Sequence, residues 1–156
     1  MHKNNINIYN NLIKLTRNKS LYLNIDNETF SDRITFLLFH LSFFLKSYKN
    51  NCDKKNLQEI HDSFFRQIEL SIREIGYGDV SINKNMKKYV NFFYDIIANI
   101  DNWDIINSEK KALILNKFIN KPKNISFFIN YFDKLSSFYK NNTLNYFTKD
   151  IEELKI

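Results

Sequence analysis

Glycine and proline are almost absent from this sequence, whose 156 residues include two glycines and one proline. β-Sandwiches and β-barrels join many short strands through tight turns, and those turns draw heavily on both residues. So few of either indicates long elements with few connections between them. We therefore predict an all-α fold in which 1–156 form a single-domain helical bundle of about six or seven helices.

Cysteine and the residue spacings that bind metals are equally scarce. Cys52 is the one cysteine, so no internal disulfide can form, and a reducing compartment is the simpler interpretation. His2, His40 and His61 have no metal-ligand spacing among them, and neither HExxH nor CxxC occurs. His40 lies in an apolar run and is interpreted as a hydrogen-bonded core histidine. We predict no metal, no cofactor and no enzymatic activity.

Long hydrophobic runs are also missing. The most apolar stretch, 34–45, is interrupted by Thr35, His40 and Ser42, and it is shorter than the roughly 20 residues that a membrane span requires. No apolar secretory signal is visible at the start of the sequence. The protein is therefore expected to be soluble, with 34–45 inside a core helix.

What the sequence does contain is apolar and basic. Hydrophobic residues make up 44% of the chain and aromatic residues 16%, a content that favours a folded core over disorder. The formal net charge is +6, and a basic surface favours acidic partners such as RNA, ribosomes or anionic lipid. A composition rich in Lys for other reasons would give the same charge, and the sequence leaves both interpretations open.

Apolar residues recur at helical spacing in about six or seven segments. The predicted helices span about 5–16, 30–48, 56–75, 83–100, 108–119, 125–139 and 144–154. The polar stretch 17–27 is expected to run over the surface. Ser81 and Ser108 are the expected N-caps of the fourth and fifth helices, and Pro122 ends the fifth.

Both glycines, Gly76 and Gly78, fall at the turn between the third and fourth predicted helices. Gly76 lies where the third helix would end, which fits a left-handed backbone. Gly78 would allow a second unusual dihedral or a close backbone approach. Arg73 and Glu74 are expected to fix the end of the third helix, while Asp79 caps the next helix or is presented to a partner. A phosphate-binding loop is disfavoured because a third glycine and a preceding strand are lacking.

Lysines and aromatic residues follow this turn. Lys84, Lys87 and Lys88 lie in the first turns of the fourth helix, where cations oppose the helix dipole at about a few tenths of a kcal/mol each. Such charges can mark a site for an acidic partner, and a Lys-rich composition explains them nearly as well. Phe92 and Phe93 are candidates for an apolar groove that holds a partner helix, although aromatic side chains more often belong to the core. The other candidates are Phe43, Phe44, Tyr94, Phe127 and Phe128.

A longer motif surrounds the same turn. It consists of Phe39-His40-Leu41, then Asp62-Ser63-Phe64-Phe65, then Arg73-Glu74-Ile75-Gly76-Tyr77-Gly78-Asp79, then Met86-Lys87-Lys88 and Phe92-Phe93-Tyr94. In this order the residues resemble the ubiquinol–cytochrome c chaperone family, in particular its bacterial members. The resemblance covers about 5–119 as a helical core and is strongest between 57 and 94. Residues 122–156 would then form divergent C-terminal helices.

The resemblance implies an assembly chaperone for the cytochrome bc1 complex. Such a protein would bind newly made cytochrome b near the ribosomal exit tunnel, together with a small partner subunit and with peripheral contact to the inner membrane. It would work in the bacterial cytoplasm, or in the mitochondrial matrix if the chain is eukaryotic. The alternative is a generic helical protein- or RNA-binding adaptor with no bc1 client. Sequence-specific DNA binding is not expected, since no zinc finger, RNP motif or basic helix occurs.

Overall fold

Seven α-helices and two short 3₁₀-helices carry most of the chain in the computed structural model, which describes residues 3–156. The α-helices are α1 (Lys3–Thr16), α2 (Lys19–Leu23), α3 (Phe30–Tyr48), α4 (Lys54–Ile75), α5 (Asp79–Ile100), α6 (Ser108–Phe118) and α7 (Ile125–Lys140). The 3₁₀-helices are Trp103–Ile105 and Leu144–Thr148. No strand forms within 3–156, where an isolated bridge joins Ile25 and Pro122. The predicted all-α single-domain bundle is confirmed.

Helix α3 lies at the centre of the bundle and packs against α1, α5 and α7. A capping box starts it, because Thr29 Oγ1 accepts from the Asp32 N–H at 3.2 Å and Asp32 Oδ2 accepts from the Thr29 N–H at 2.9 Å. The helix is buried around most of its circumference, as the predicted helix 30–48 requires. Even so, no helix in the described part of the chain combines the length and apolarity that a bilayer crossing needs.

Aromatic rings fill the space between α3 and α7. Phe43 lies parallel to Phe132 with ring centroids 5.3 Å apart, and Trp103 meets Phe43 edge-on, also at 5.3 Å. Phe39 contacts the same Phe132 ring at 4.9 Å. Pairs at these separations add about 0.5–1.5 kcal/mol each beyond the area that they bury. Much of the aromatic content therefore stabilises the core.

His40 is fully buried on α3 and is held by two hydrogen bonds. Its Nδ1–H donates to the carbonyl of Phe36 at 2.6 Å, so its Nε2 accepts from the Tyr131 hydroxyl, also at 2.6 Å. Burial lowers the pKa of His40 to about 4, although the bond to Phe36 acts in the opposite direction. The ring is therefore neutral near pH 7, and the predicted core histidine is confirmed.

The chain after α7 does not form the helix that was predicted over 144–154. The 3₁₀-helix Leu144–Thr148 forms instead and packs against α1. The buried side-chain amide of Asn11 on α1 donates to the carbonyls of Phe147 at 2.9 Å and Lys149 at 2.8 Å. These carbonyls bond to another helix and not to amides four residues further along, so the α-helix does not continue.

The polar stretch 17–27 contains a short helix that was not predicted. Asn18 Oδ1 accepts from the Ser20 N–H at 3.0 Å and caps α2. Leu21 on α2 and Ile25, which follows the helix, are both buried in the core. The prediction that this stretch runs over the surface is wrong for these two side chains, because they anchor it to the bundle.

The N-cap of α6 lies one residue before the predicted Ser108, whereas the break at Pro122 agrees with the prediction. Helix α6 begins at Ser108, and its N-cap is Asn107, whose Oδ1 accepts from the Lys110 N–H at 2.9 Å. Pro122 lies between α6 and α7, as predicted. It also bridges to Ile25, which ties this loop to the segment before α3.

Candidate functional site

The turn between α4 and α5 is a tight corner built on Gly76. This residue has φ 101° and ψ 17°, in the left-handed region, and its N–H donates to the carbonyl of Arg73 at 3.0 Å. Residues with a side chain rarely adopt such a backbone. The left-handed helix end predicted at Gly76 is confirmed.

Gly78 has an ordinary backbone, contrary to the prediction. Its φ is −72° and its ψ is 160°, and a Cβ placed on it would meet no atom within 4 Å. Its carbonyl accepts from the Ile82 N–H at 2.9 Å, so α5 begins at Asp79 with Gly78 as the N-cap. Ser81 therefore lies inside the first turn of α5, and its predicted role as the N-cap is wrong. Asp79 is likewise the first helical residue and not the cap.

Arg73 ties the two helices together at this corner. Its Nη1 lies 2.9 Å from Asp79 Oδ1 across the turn, and its Nη2 lies 3.7 Å from Glu69 Oε1 on α4. Exposed pairs of this kind contribute about 0.2–1 kcal/mol each. Glu74 is exposed. Its negative charge helps to raise the pKa of Tyr9 on α1, which is raised mainly by burial. Arg73 therefore links the end of α4 to the start of α5 through its ion pair with Asp79.

Replacing Gly76 with Ala is expected to lower the free energy of unfolding by about 1–2 kcal/mol, because the left-handed backbone strains any side chain. Gly78→Ala is the matched control and is expected to change it by less than about 0.5 kcal/mol. Urea unfolding followed by circular dichroism measures both variants. Equal stabilities of the two would show that the backbone of Gly76 is not a constraint.

Apolar side chains project into solvent around the corner. Ile75 is 56% exposed, Tyr77 45% and Val80 85%. Positions 80, 84, 87 and 88 recur at the spacing of one helix face, so Val80 shares its face of α5 with exposed lysines. A cluster of exposed apolar side chains with charged residues at its edge is typical of a surface that contacts a partner. The corner surface, as we name it, consists of Ile75, Tyr77, Val80, Lys84, Lys87 and Lys88.

The two phenylalanines proposed as groove residues lie away from this surface. Phe92 is half-buried against Phe118, with ring centroids 5.4 Å apart, and Phe93 is buried beneath His61 at 5.3 Å. Both are on the second half of α5. Among the other aromatic candidates, Phe43, Phe44 and Phe128 are core residues, Phe127 is half-buried and Tyr94 is exposed. The structure thus brings Arg73, Glu74, Gly76, Gly78, Asp79 and the three lysines towards one end of α5, without Phe92 and Phe93.

A groove beside the corner was not predicted from the sequence. It has a volume of about 430 Å³ and lies between α1, α3 and α4. Arg17, Lys19 and Arg33 stand at its edge with Glu28, which pairs with Arg33 at 3.1 Å. Ser71, about one helical turn before Ile75, connects it to the corner. The apolar floor of this α1–α3 groove consists of Tyr9, Ile13, Phe30, Ile34, Leu37 and Ile68.

Comparison with known proteins gives one match. The model of the ubiquinol-cytochrome C chaperone family matches residues 25–119, which is more than half of the chain. That segment contains the corner surface, α3, α4, α5 and α6, but neither α1 nor α7. No curated protein and no solved structure matches the sequence.

Proposed function

The chain belongs to the ubiquinol-cytochrome C chaperone family, and on that premise we propose that it binds newly made cytochrome b during assembly of the cytochrome bc1 complex. The observation that carries this proposal is the family match, which extends across α3–α6 and includes the corner. The α1–α3 groove and the exposed side chains of the corner surface support a binding role. The proposal leaves the chain with no catalytic step.

The α1–α3 groove is the proposed seat for an apolar segment of the client. Its floor is made of aliphatic and aromatic side chains from three helices, and amphipathic or apolar helices commonly bind in such grooves. A membrane subunit that has not yet been inserted exposes helices of about 20 apolar residues. Ile75, Tyr77 and Val80 would extend the apolar contact beyond the groove.

The lysines of the corner surface are assigned to a different role. Membrane proteins carry an excess of Lys and Arg in the loops that stay on the synthesis side, so Lys84, Lys87 and Lys88 would repel those loops of the client. Phosphate groups of the inner-membrane surface or of ribosomal RNA would attract the lysines. Near an anionic bilayer, each lysine adds about 1 kcal/mol to the binding free energy. We therefore propose that the protein works at the periphery of the inner membrane in the bacterial cytoplasm, near the ribosome. The small partner subunit is proposed from the family resemblance alone.

The experiment is a tagged pull-down from native membranes in mild detergent, with mass spectrometry of the bound proteins. We expect cytochrome b to be enriched with the unmodified chain. Ile13→Glu, at a half-buried position of the groove floor, is expected to reduce its recovery about tenfold, equivalent to about 1.4 kcal/mol. Leu113→Glu on α6, at a position that is 71% exposed, adds the same charge elsewhere and should leave recovery unchanged.

Two outcomes would contradict the proposal in different ways. If no bc1 subunit is enriched and RNA or an unrelated protein is recovered, the generic helical adaptor replaces the assembly chaperone. If cytochrome b is enriched equally with Ile13→Glu and with the unmodified chain, the client binds elsewhere and the groove assignment is wrong. Circular dichroism of each variant checks that the helices still form.

A further inference from the structure

A second groove lies at the other end of the α4–α5 pair, away from the corner. It has a volume of about 690 Å³. His61, which lines it, is about 21 Å along α4 from Ile75, at 1.5 Å for each residue. The groove is separate from the α1–α3 groove, because no residue lines both. The apolar part of this distal groove consists of Leu45, Leu57, Phe93, Tyr94, Ile97 and Ala98.

The floor of the distal groove is recessed and firmly packed. Phe93 is buried, and the ring of His61 packs against it, with Phe65 at 4.8 Å and Tyr94 at 5.9 Å on other sides. His61 Nδ1 lies 3.0 Å from Asp62 Oδ1, and this hydrogen bond is the main reason that the pKa of Asp62 is lowered. The bond fixes the orientation of the imidazole. An inserted side chain would therefore meet a preformed aromatic wall.

The edge of the distal groove is basic. Lys46, Lys49 and Lys54 line it, against Asp101 as the single acidic residue in its lining. Lys49 pairs with Asp101 at 3.0 Å, and Lys46 pairs with Asp104 at 3.1 Å. Lys54 is exposed at the start of α4 and makes no ion pair within residues 3–156. The lining as a whole favours a partner with negative charge.

We propose that the distal groove binds an acidic amphipathic helix of a partner protein. The apolar stripe of that helix would lie on Leu57, Phe93 and Ile97, and carboxylates at its edge would face Lys49 and Lys54. Helices bind in grooves through apolar anchors spaced at i, i+3, i+4 and i+7. A flat bilayer surface would reach the lysines but not Phe93 and Leu45, which are buried at the bottom of the groove. This favours a protein over a membrane. This site is separate from the one proposed above for the client, because it lies at the opposite end of the α4–α5 pair.

Synthetic peptides test this proposal directly. The probe is a fluorescent amphipathic peptide of about 18 residues, long enough to form a helix, with a Leu stripe flanked by Glu. The control peptide has Lys in place of Glu. Fluorescence anisotropy with the full chain should show tighter binding of the Glu peptide, by about tenfold or more. Ala98→Glu, at an exposed position in the groove, and Lys54→Glu should each weaken that binding about tenfold.

Leu113→Glu, at an exposed position of α6, is the matched variant and should bind the Glu peptide as the unmodified chain does. Equal binding of the two peptides, or binding that Ala98→Glu leaves unchanged, would overturn the proposal. So would the absence of peptide binding together with Lys54-dependent cosedimentation on phosphatidylcholine vesicles containing phosphatidylglycerol, which would assign the lysines to a lipid surface. Capture of cytochrome b is not needed for any of these measurements, so the two proposals fail independently.

Discussion

Replacing Phe147 with Ala is expected to lower the free energy of unfolding by about 4 kcal/mol. The ring is fully buried after α7, with Phe44 and Tyr139 each 5.5 Å away and Tyr48 at 6.2 Å. Removing the ring leaves a cavity between α3, α7 and the 3₁₀-helix Leu144–Thr148. The surrounding rings cannot close that cavity without losing their own contacts. Urea unfolding at neutral pH, followed by circular dichroism and by tyrosine fluorescence, measures the change.

The neighbouring Tyr146 supplies the control for this variant. It contacts Phe147 at 5.1 Å and Phe138 at 6.3 Å but remains 38% exposed. Tyr146→Ala is expected to cost about 1 kcal/mol, the usual effect of a partly exposed position. A loss of about 1 kcal/mol for Phe147→Ala as well would mean that the segment after α7 is not part of the core.

The second large effect is a loss of stability in mild acid, caused by His40. The buried ring has a pKa of about 4 in the folded protein, and about 6.5 in the unfolded chain. Between these values the unfolded chain binds a proton that the folded protein does not, so acid favours unfolding. The free energy of unfolding is expected to fall by about 3 kcal/mol as the pH decreases from 6.5 to 4. Above pH 6.5 this contribution is fully present.

His40→Gln is the variant that isolates this effect. Its free energy of unfolding at neutral pH is expected to be lower, because the bonds to Phe36 and Tyr131 are disturbed. Its dependence on pH between 6.5 and 4 should become shallow. Asp62 and Asp104 have lowered pKa values, so the stability that they contribute is lost mainly at the acid end of this range and below it. If the free energy of unfolding of His40→Gln fell with pH as steeply as that of the unmodified chain, the acid sensitivity would come from other groups.

The helices that were predicted best are those whose sequence carries both a long apolar pattern and a local end signal. The prediction for α3 agrees with the structure at both ends, since Thr29 and Asp32 cap it and its interior is nearly continuous in apolar residues. The helix predicted over 144–154 had the pattern alone. Its carbonyls bond to Asn11, which is more than a hundred positions earlier in the chain. The apolar pattern of a single sequence does not show hydrogen bonds between residues so far apart.

The candidate site was also predicted only where its structure depends on residues that are close together in the sequence. Gly76 was found because a left-handed helix end is a local demand on one residue, whereas Gly78 was assigned a constraint that its backbone does not have. The α1–α3 groove could not be found in this way, whereas Phe93 and Tyr94, two of the predicted groove candidates, do line the distal groove. Ile13, Ile34 and Ile68 belong to three different helices, and only packing brings them together. Their spacing in the sequence indicates three core faces and no shared cleft.

The bonds from α1 to the segment after α7 also determine when folding can finish during protein synthesis. Asn11 has its hydrogen-bond partners only after Phe147 and Lys149 have been made. At about 5–20 residues per second, the ribosome needs about 7–27 s to progress from Asn11 to Phe147, which lies 136 positions later. During that interval α1 and the side of α3 beside Phe44 lack their cover. A growing chain of this protein therefore exposes apolar surface itself until Phe147 and Lys149 have been made and can pack against α1.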